Sequence, residues 1–359
     1  MKAIIKRELK NYVKNPILWL GLLFVIFWLF QFLSPYLTIH YFGSEEELED
    51  LEPGNIADAD IMEGYLPATQ EERMEIAIAK ELPNIMEVLG MSEEEARELL
   101  NGMRQKGMSP NEMMDELYGK YGYYSSYGLD YWYQVSELRK GSMEEANAYI
   151  EENLSDHSFS YYLGRKFADF GGLFLGFFAT ILLAFLFIRD MKRDTYELLH
   201  TKPVSAFAYI GGKVSGGFLA MGMVWGILTL LFGGWCQIYG WQQGFPVNFP
   251  EFAGIAAVYI LPNMLMIVCV YTLAALAFRN PLPAMPFLFL YIVYSNLGGR
   301  GPDGTYGYYG RPLAIMVRFP GTFFDTAPPP LALLNQTFLI LASGIILVAS
   351  AALWKRRRI

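Results

Sequence analysis

Residues Arg189–Lys213 read R-D-M-K-R-D-T-Y-E-L-L-H-T-K-P-V-S-A-F-A-Y-I-G-G-K and sit between two long apolar runs. A charged, helix-compatible insert closing on a Thr-x-Pro step, Thr201–Pro203, has the make-up of a docking element for a soluble partner. The runs on either side decide the fold. Hydrophobic residues make up 53% of the chain and charged ones 18%, a more apolar balance than a soluble domain carries. They are gathered in blocks, and a helix needs about 20 apolar residues to cross a bilayer. Six blocks qualify, at 16–37, 167–188, 208–235, 252–278, 282–297 and 331–354. The fifth is short and carries Pro283 and Pro286. In lipid the backbone must satisfy its own hydrogen bonds, so helices are expected. The fold class is therefore an all-α polytopic membrane protein with six transmembrane helices.

Charge orients it. With both termini in the cytoplasm, the inner segments are 1–16, 189–207, 279–281 and 355–359. They hold 14 Lys/Arg against four acids: Glu8, Asp190, Asp194 and Glu197. The insert at 38–166 holds 10 Lys/Arg and 28 Asp/Glu, so the positive-inside pattern places it outside. The net charge of −8 comes from that insert. The first block is too long for a signal-peptide core and no small-x-small cleavage site follows it, so it reads as a span.

Residues 1–15 form a basic amphipathic helix, with Ile4, Ile5, Leu9, Tyr12 and Val13 on one face and Lys2, Lys6, Lys10 and Lys14 largely on the other. The insert reads as helical. Ser92-x-x-Glu95, Ser109-Pro110-x-Glu112 and Ser142-x-x-Glu145 are capping boxes. Ala96, Leu99, Leu100 and Met103 follow the first at helical spacing. Few or no strands are expected. Between Tyr118 and Tyr133 lie seven tyrosines and Trp132. Three readings of this segment stand: domain core, an interfacial belt on the outer leaflet, and a ligand or partner surface. The nine methionines of the insert read as adaptable packing. A second outer segment, 298–330, is rich in Gly, Tyr and Pro. Its Arg300, Arg311 and Arg318 make contact with the acidic insert one reading and coincidence the other.

The chemistry is sparse. Neither Gly212-Lys213 nor Gly119-Lys120 is followed by Ser or Thr, so no phosphate loop exists. The chain has no cofactor of its own and is not an enzyme by itself. Asp169 is the one clear ionisable group in the spans, which points to an energy source outside this chain. Pro262-Asn263 interrupts the fourth span. Glycine pairs Gly172/Gly176, Gly212/Gly216 and Gly222/Gly226 permit close helix approach. His40, His157 and His200 read as surface residues, and Cys236 and Cys269 form neither a disulfide nor a metal site.

The wording K-R-E-L-K…K-N-P at Lys6–Lys10 and Lys14–Pro16, with Y-E-L-L-H-T-K-P-V-S at Tyr196–Ser205 and Y-I-G-G-K at Tyr209–Lys213, resembles ABC-2 type transporter permeases. The order of elements resembles them too: an elbow helix, six spans, an inner segment after the second and a tight inner turn at Arg279–Pro281. The large outer domain between the first two spans departs from simpler members. The resemblance implies an exporter subunit that works with separate ABC ATPase subunits, which hold ATP and Mg, and with a second permease chain, identical or homologous. Nucleic acid is not an expected partner. Asp190, Asp194, Tyr196, Glu197, Leu198, Leu199, Lys202 and Pro203 would dock the ATPase. Gln31, Asp169 and Asn296 would border the substrate route; hydration at the outer interface is the plainer reading of all three. The implied substrate is amphipathic (a peptide, antibiotic or lipid) or an ion. The alternative is a non-transporting membrane receptor or regulatory subunit that senses an extracellular ligand. The expected location is a bacterial plasma membrane.

Overall fold

A computed structural model describes residues 1–49, 60–185, 204–280, 282–300, 306–307 and 310–356. The chain divides into two compact units. One joins Met1–Ile39 to Asn153–Ile359, and the other is His40–Glu152. Helix α1 (Lys2–Val13) opens the first unit and α2 (Pro16–Leu33) follows after a two-residue break. The break is encoded by Asn15-Pro16. The Asn15 side chain accepts from the Ile17 N–H at 3.1 Å, and Pro16 occupies a position where no N–H is needed. A short 3-10 turn, Ser34–Thr38, extends α2.

The inserted unit is built from α3 (Glu45–Glu49), β1 (Tyr65–Pro67), α4 (Gln70–Leu89), α5 (Glu93–Gln105), α6 (Pro110–Tyr121), α7 (Leu129–Val135), β2 (Leu138–Lys140) and most of α8 (Met143–Asp156), whose last turn belongs to the first unit. All three predicted capping boxes form, and Thr69 with Glu72 supplies a fourth at the start of α4. Each satisfies N–H groups that a helix start leaves without partners. The strands make one antiparallel ladder, with Leu66 opposite Arg139. Arg139 is held by Glu145 through two hydrogen bonds of 2.8 and 3.0 Å. The core gathers Ala77, Ile85, Ala96, Leu100, Leu117 and Leu129 with Met74, Met103 and Met113. Glu81 is fully buried beneath Tyr123 and Trp132. It accepts from the Tyr123 hydroxyl and, at 2.9 Å, from Trp132 Nε1.

The chain then returns to the first unit with α9 (Phe159–Leu182), α10 (Ala206–Gln243), α11 (Phe249–Phe278), α12 (Ala284–Asn296), the two-residue strands β3 (Gly299–Arg300) and β4 (Tyr306–Gly307), and α13 (Ala332–Arg356). Among the described residues, four helices are long and apolar enough to cross a membrane: Pro16–Thr38, α10, α11 and α13. Helix α9 falls on the predicted second span but starts at Phe159, and its first half carries Arg165, Lys166 and Asp169. Residues 153–166, read from sequence as part of the insert, belong with the first unit. Helix α12, on the fifth predicted span, has only 13 residues. Helix α10 has 38, about 57 Å at 1.5 Å per residue, and runs to Gln243 rather than stopping at 235.

The expected interruption at Pro262-Asn263 is absent, and α11 runs through it without a break. The helix packs against α9 and α13. Asn263 Nδ2 donates to the Tyr259 carbonyl at 2.5 Å, beside the hydrogen bond that proline cannot make. At its far end α11 stops on Arg279 in the left-handed region (φ 53°), at the predicted tight turn.

Candidate functional site

Among the described residues, two ionic centres lie at opposite ends of the first unit. The first sits where α1 crosses the start of α10. Glu8 and Lys213 pair at 2.9 Å with both side chains nearly inaccessible. Glycine makes the crossing possible. A Cβ on Gly216 would lie 2.5 Å from the Glu8 Cβ, and one on Gly212 would lie 2.9 Å from Ile4. The same end receives the close of α13, where Trp354 stacks on Tyr209 at 4.6 Å. So the two local wordings K-R-E-L-K and Y-I-G-G-K pack against each other. Of the three glycine pairs, Gly222/Gly226 has open space around both members. Gly176 of the first pair meets only Ile292, at ordinary contact distance.

The second centre lies at the other end. Residues 310–330 have no regular structure, yet Ala314, Ile315, Met316, Val317, Phe319, Phe323 and Phe324 are buried. An irregular chain can be buried only if its polar backbone finds partners. Three helices and the segment itself supply them. From α9, Arg165 donates to the Thr326 carbonyl, Lys166 Nζ donates to Gly321 O at 2.8 Å, and Asp169 Oδ2 accepts the Phe319 N–H at 3.0 Å. From α12, Ser295 Oγ accepts the Ile315 N–H at 3.0 Å and Tyr291 donates to Leu313 O at 2.6 Å. From α13, Asn335 donates to Ala314 O at 2.9 Å. The segment's own Arg318 donates from Nε to Asp169 Oδ1 and from Nη1, at 2.6 Å, to Asn296 Oδ1.

Of the predicted route residues, Asp169 and Asn296 are thus brought together through Arg318. Asp169 is buried at 4% exposure. Gln31 lies apart, on the exposed side of α2. An apolar groove of about 690 Å³ runs between α2 and α9, walled by Phe24, Trp28, Phe32, Phe174 and Phe178. The eight predicted docking residues, Asp190, Asp194, Tyr196, Glu197, Leu198, Leu199, Lys202 and Pro203, lie outside the described residues.

Sequence reasoning passed over one member of each ion pair. Lys213 lies inside the predicted third span and is buried, so Asp169 is not the only ion there. A lysine in an apolar block, with one acid on the preceding basic helix, was the available signal. In the sequence Arg318 is legible only as part of a basic segment, with contact to the acidic insert and coincidence as the two readings. In the structure Arg318 is bound to Asp169, while Arg311 donates to Leu297 O and Gly298 O.

A family model described as ABC-2 family transporter protein matches residues 2–303. The chain belongs to the ABC-2 transporter family. The match takes in α1, the stretch 189–203, Lys213, Asp169 and Asn296, and it ends before residues 310–330 and α13. No curated protein and no solved structure matches this ABC-2 chain. The family makes it a transmembrane transporter subunit, and both ionic centres hold helices of that transporter together.

Proposed function

We propose that the chain is the permease subunit of an ABC exporter, driven by ATP that separate subunits hydrolyse with Mg. The family match over residues 2–303 carries this reading, because permeases of the family generally partner with ABC ATPase subunits. The chain crosses the plasma membrane of a bacterium six times, with α9 and α12 supplying the second and fifth crossings. Both termini are inside, and the unit His40–Glu152 is outside. A second permease chain, identical or homologous, completes the path.

The working cycle starts at the inner segment. Tyr196, Leu198 and Leu199 anchor it in the ATPase, framed by Asp190, Asp194, Glu197, Lys202 and Pro203. A buried anchor of this kind is worth about 2 kcal/mol or more. Helix α10 begins at the Ser205 cap directly after that segment, and the Glu8–Lys213 pair makes α1 follow α10. At the outer end, residues 310–330 act as a plug. Arg165, Lys166 and Asp169 hold it closed, and export requires their contacts with it to separate. Asn296 steadies Arg318 in the closed state. The substrate is amphipathic: a peptide, antibiotic or lipid-like molecule, with an inorganic ion as the other candidate. The aromatic groove between α2 and α9 offers an apolar wall, and Gln31 a polar group, for such a molecule.

The test is co-purification. The tagged chain should bring down an ABC ATPase, and ATP turnover should appear only in the complex. Sustained hydrolysis by a preparation free of any partner, or a chain that recovers no ATPase under native conditions, contradicts the reading.

A further inference from the structure

The segment Tyr118–Tyr133 divides its aromatics between two tasks. Tyr123 is fully buried and Trp132 is partly buried, and the carboxylate of Glu81 holds both from below. Tyr133 lies under the Arg73 guanidinium, 4.6 Å from its ring centre, and its carbonyl accepts from Arg73 at 2.9 and 3.0 Å. These three serve the fold. The other five do not. Tyr118, Tyr121, Tyr124, Tyr127 and Tyr131 are each at least 41% exposed, and Tyr124 reaches 74%. Five tyrosines in a stretch of 14 residues are far more open aromatic surface than folding requires.

The stretch is also ordered. Gly122 turns the chain in the left-handed region (φ 65°) and closes α6 with hydrogen bonds to Leu117 and Tyr118. Beyond it, Tyr127 packs on Tyr131 at 5.0 Å, and Tyr131 meets Trp132 edge-on at 5.2 Å. The Trp132–Glu81 hydrogen bond therefore fixes the base of the Tyr127 and Tyr131 rings. Rigid tyrosines give contact area at small entropic cost.

Charge selects the occupant. Residues 111–137 carry five acids and one lysine, and that lysine, Lys120, is bound to Glu116 at 2.5 Å. Asp115 and Glu137 are exposed beside the tyrosines in sequence. The whole unit His40–Glu152 has 27 Asp/Glu against 8 Lys/Arg. Ring faces attract ammonium and guanidinium groups, and the acidic field concentrates cations around them. The same field repels the anionic headgroups that a belt resting on a membrane would meet. We infer that the exposed tyrosines of Tyr118–Tyr131 form a binding surface for a cationic amphipathic polypeptide, whose Lys or Arg side chains lie over the rings. This surface stands apart from the transport reading, since binding to it needs no ATPase.

The experiment uses the full chain in zwitterionic nanodiscs, with empty discs as the blank. The probe is a 20-residue amphipathic peptide of Lys and Leu, paired with a Glu-for-Lys counterpart. The wild type should bind the cationic peptide and not the anionic one, and affinity should fall as salt rises. The triple variant Tyr118→Ser, Tyr124→Ser, Tyr127→Ser should bind at least tenfold more weakly. Because these side chains are exposed, the fold is preserved. A second variant, Asp115→Asn with Glu137→Gln, keeps the rings and should lose part of the salt dependence. Wild-type affinity in the tyrosine triple variant, or equal binding of both peptides, would overturn the inference. So would protection of these tyrosines from iodination by the disc lipid alone, which would assign them to the membrane.

Discussion

Glu8 and Lys213 meet at 2.9 Å, with side-chain exposures of only 8% and 5%. This contact fastens the amphipathic helix α1 to the first turns of α10. Removing one partner strands the other charge away from water, at a cost of about 3–5 kcal/mol. Lys213→Met and Glu8→Gln should therefore each lower the unfolding temperature and the yield of folded protein. The double variant Glu8→Leu with Lys213→Met should recover most of the loss. Thermal unfolding in detergent measures both, and a single variant as stable as the wild type would remove the ion pair from the account.

The glycine pair beneath that contact makes a second expectation. Gly216→Leu places a side chain where Glu8 packs and should cost about 1–3 kcal/mol, the usual range for overfilling a tight contact. Gly226→Ala meets nothing within 4 Å and should be neutral or slightly stabilising. Equal stabilities for the two variants would mean that α1 does not sit against α10 in this way.

The inserted unit should lose stability in acid. Hydrogen bonds from Arg139, then the Ser142 N–H, hold the Glu145 carboxyl at about 2. The Ser92 and Ser109 N–H groups lower Glu95 and Glu112. Each carboxyl binds a proton less readily folded than unfolded. Their contribution is therefore complete above the ordinary carboxylate range, and it fades as pH falls from there through about 2. Glu145 is half-exposed, so its share is small. Denaturant midpoints measured from pH 6 to pH 2 should fall, and Glu145→Gln should flatten the lower part of the curve. A midpoint that does not change over that range would contradict the capping geometry.

How much of this was legible follows from the range of each interaction. Capping boxes join residues three positions apart, so Ser92, Ser109 and Ser142 announced three helices correctly, and Thr69–Glu72 was readable by the same rule. The apolar blocks announced α2, α10, α11 and α13. Helix α9 was read as starting at 167 because Arg165 and Lys166 interrupt its apolar run. Both turned out to be partners for the backbone of residues 310–330, a pairing set by tertiary structure about 155 residues away in sequence. The Asp169–Arg318 pair spans 149 residues and Glu8–Lys213 more than 200, beyond any local pattern. Asn296 could be singled out as polar, but its link to Asp169 through Arg318 could not. The interruption expected at Pro262 failed because tertiary packing and the Asn263 side chain outweigh one missing hydrogen bond.

The inner segment is tested by assembly. Replacing Glu197 by Ala and Leu198 by Asp in one variant should reduce recovery of the ATPase at least tenfold, while the chain itself still folds and reaches the membrane. Recovery of the ATPase at the wild-type level would place the docking surface elsewhere.

The central claim is that residues 310–330 close the outer end of an ATP-driven permease and must open when it works. Thr326 reports this directly. It is 2% exposed, and its carbonyl is held by Arg165. The variant Thr326→Cys, with Cys236 and Cys269 changed to Ala, is labelled with a maleimide in the complex with its ATPase. Labelling should be slow without nucleotide and at least tenfold faster during ATP turnover. A rate that ATP does not change, in a complex shown to hydrolyse ATP, would contradict the account.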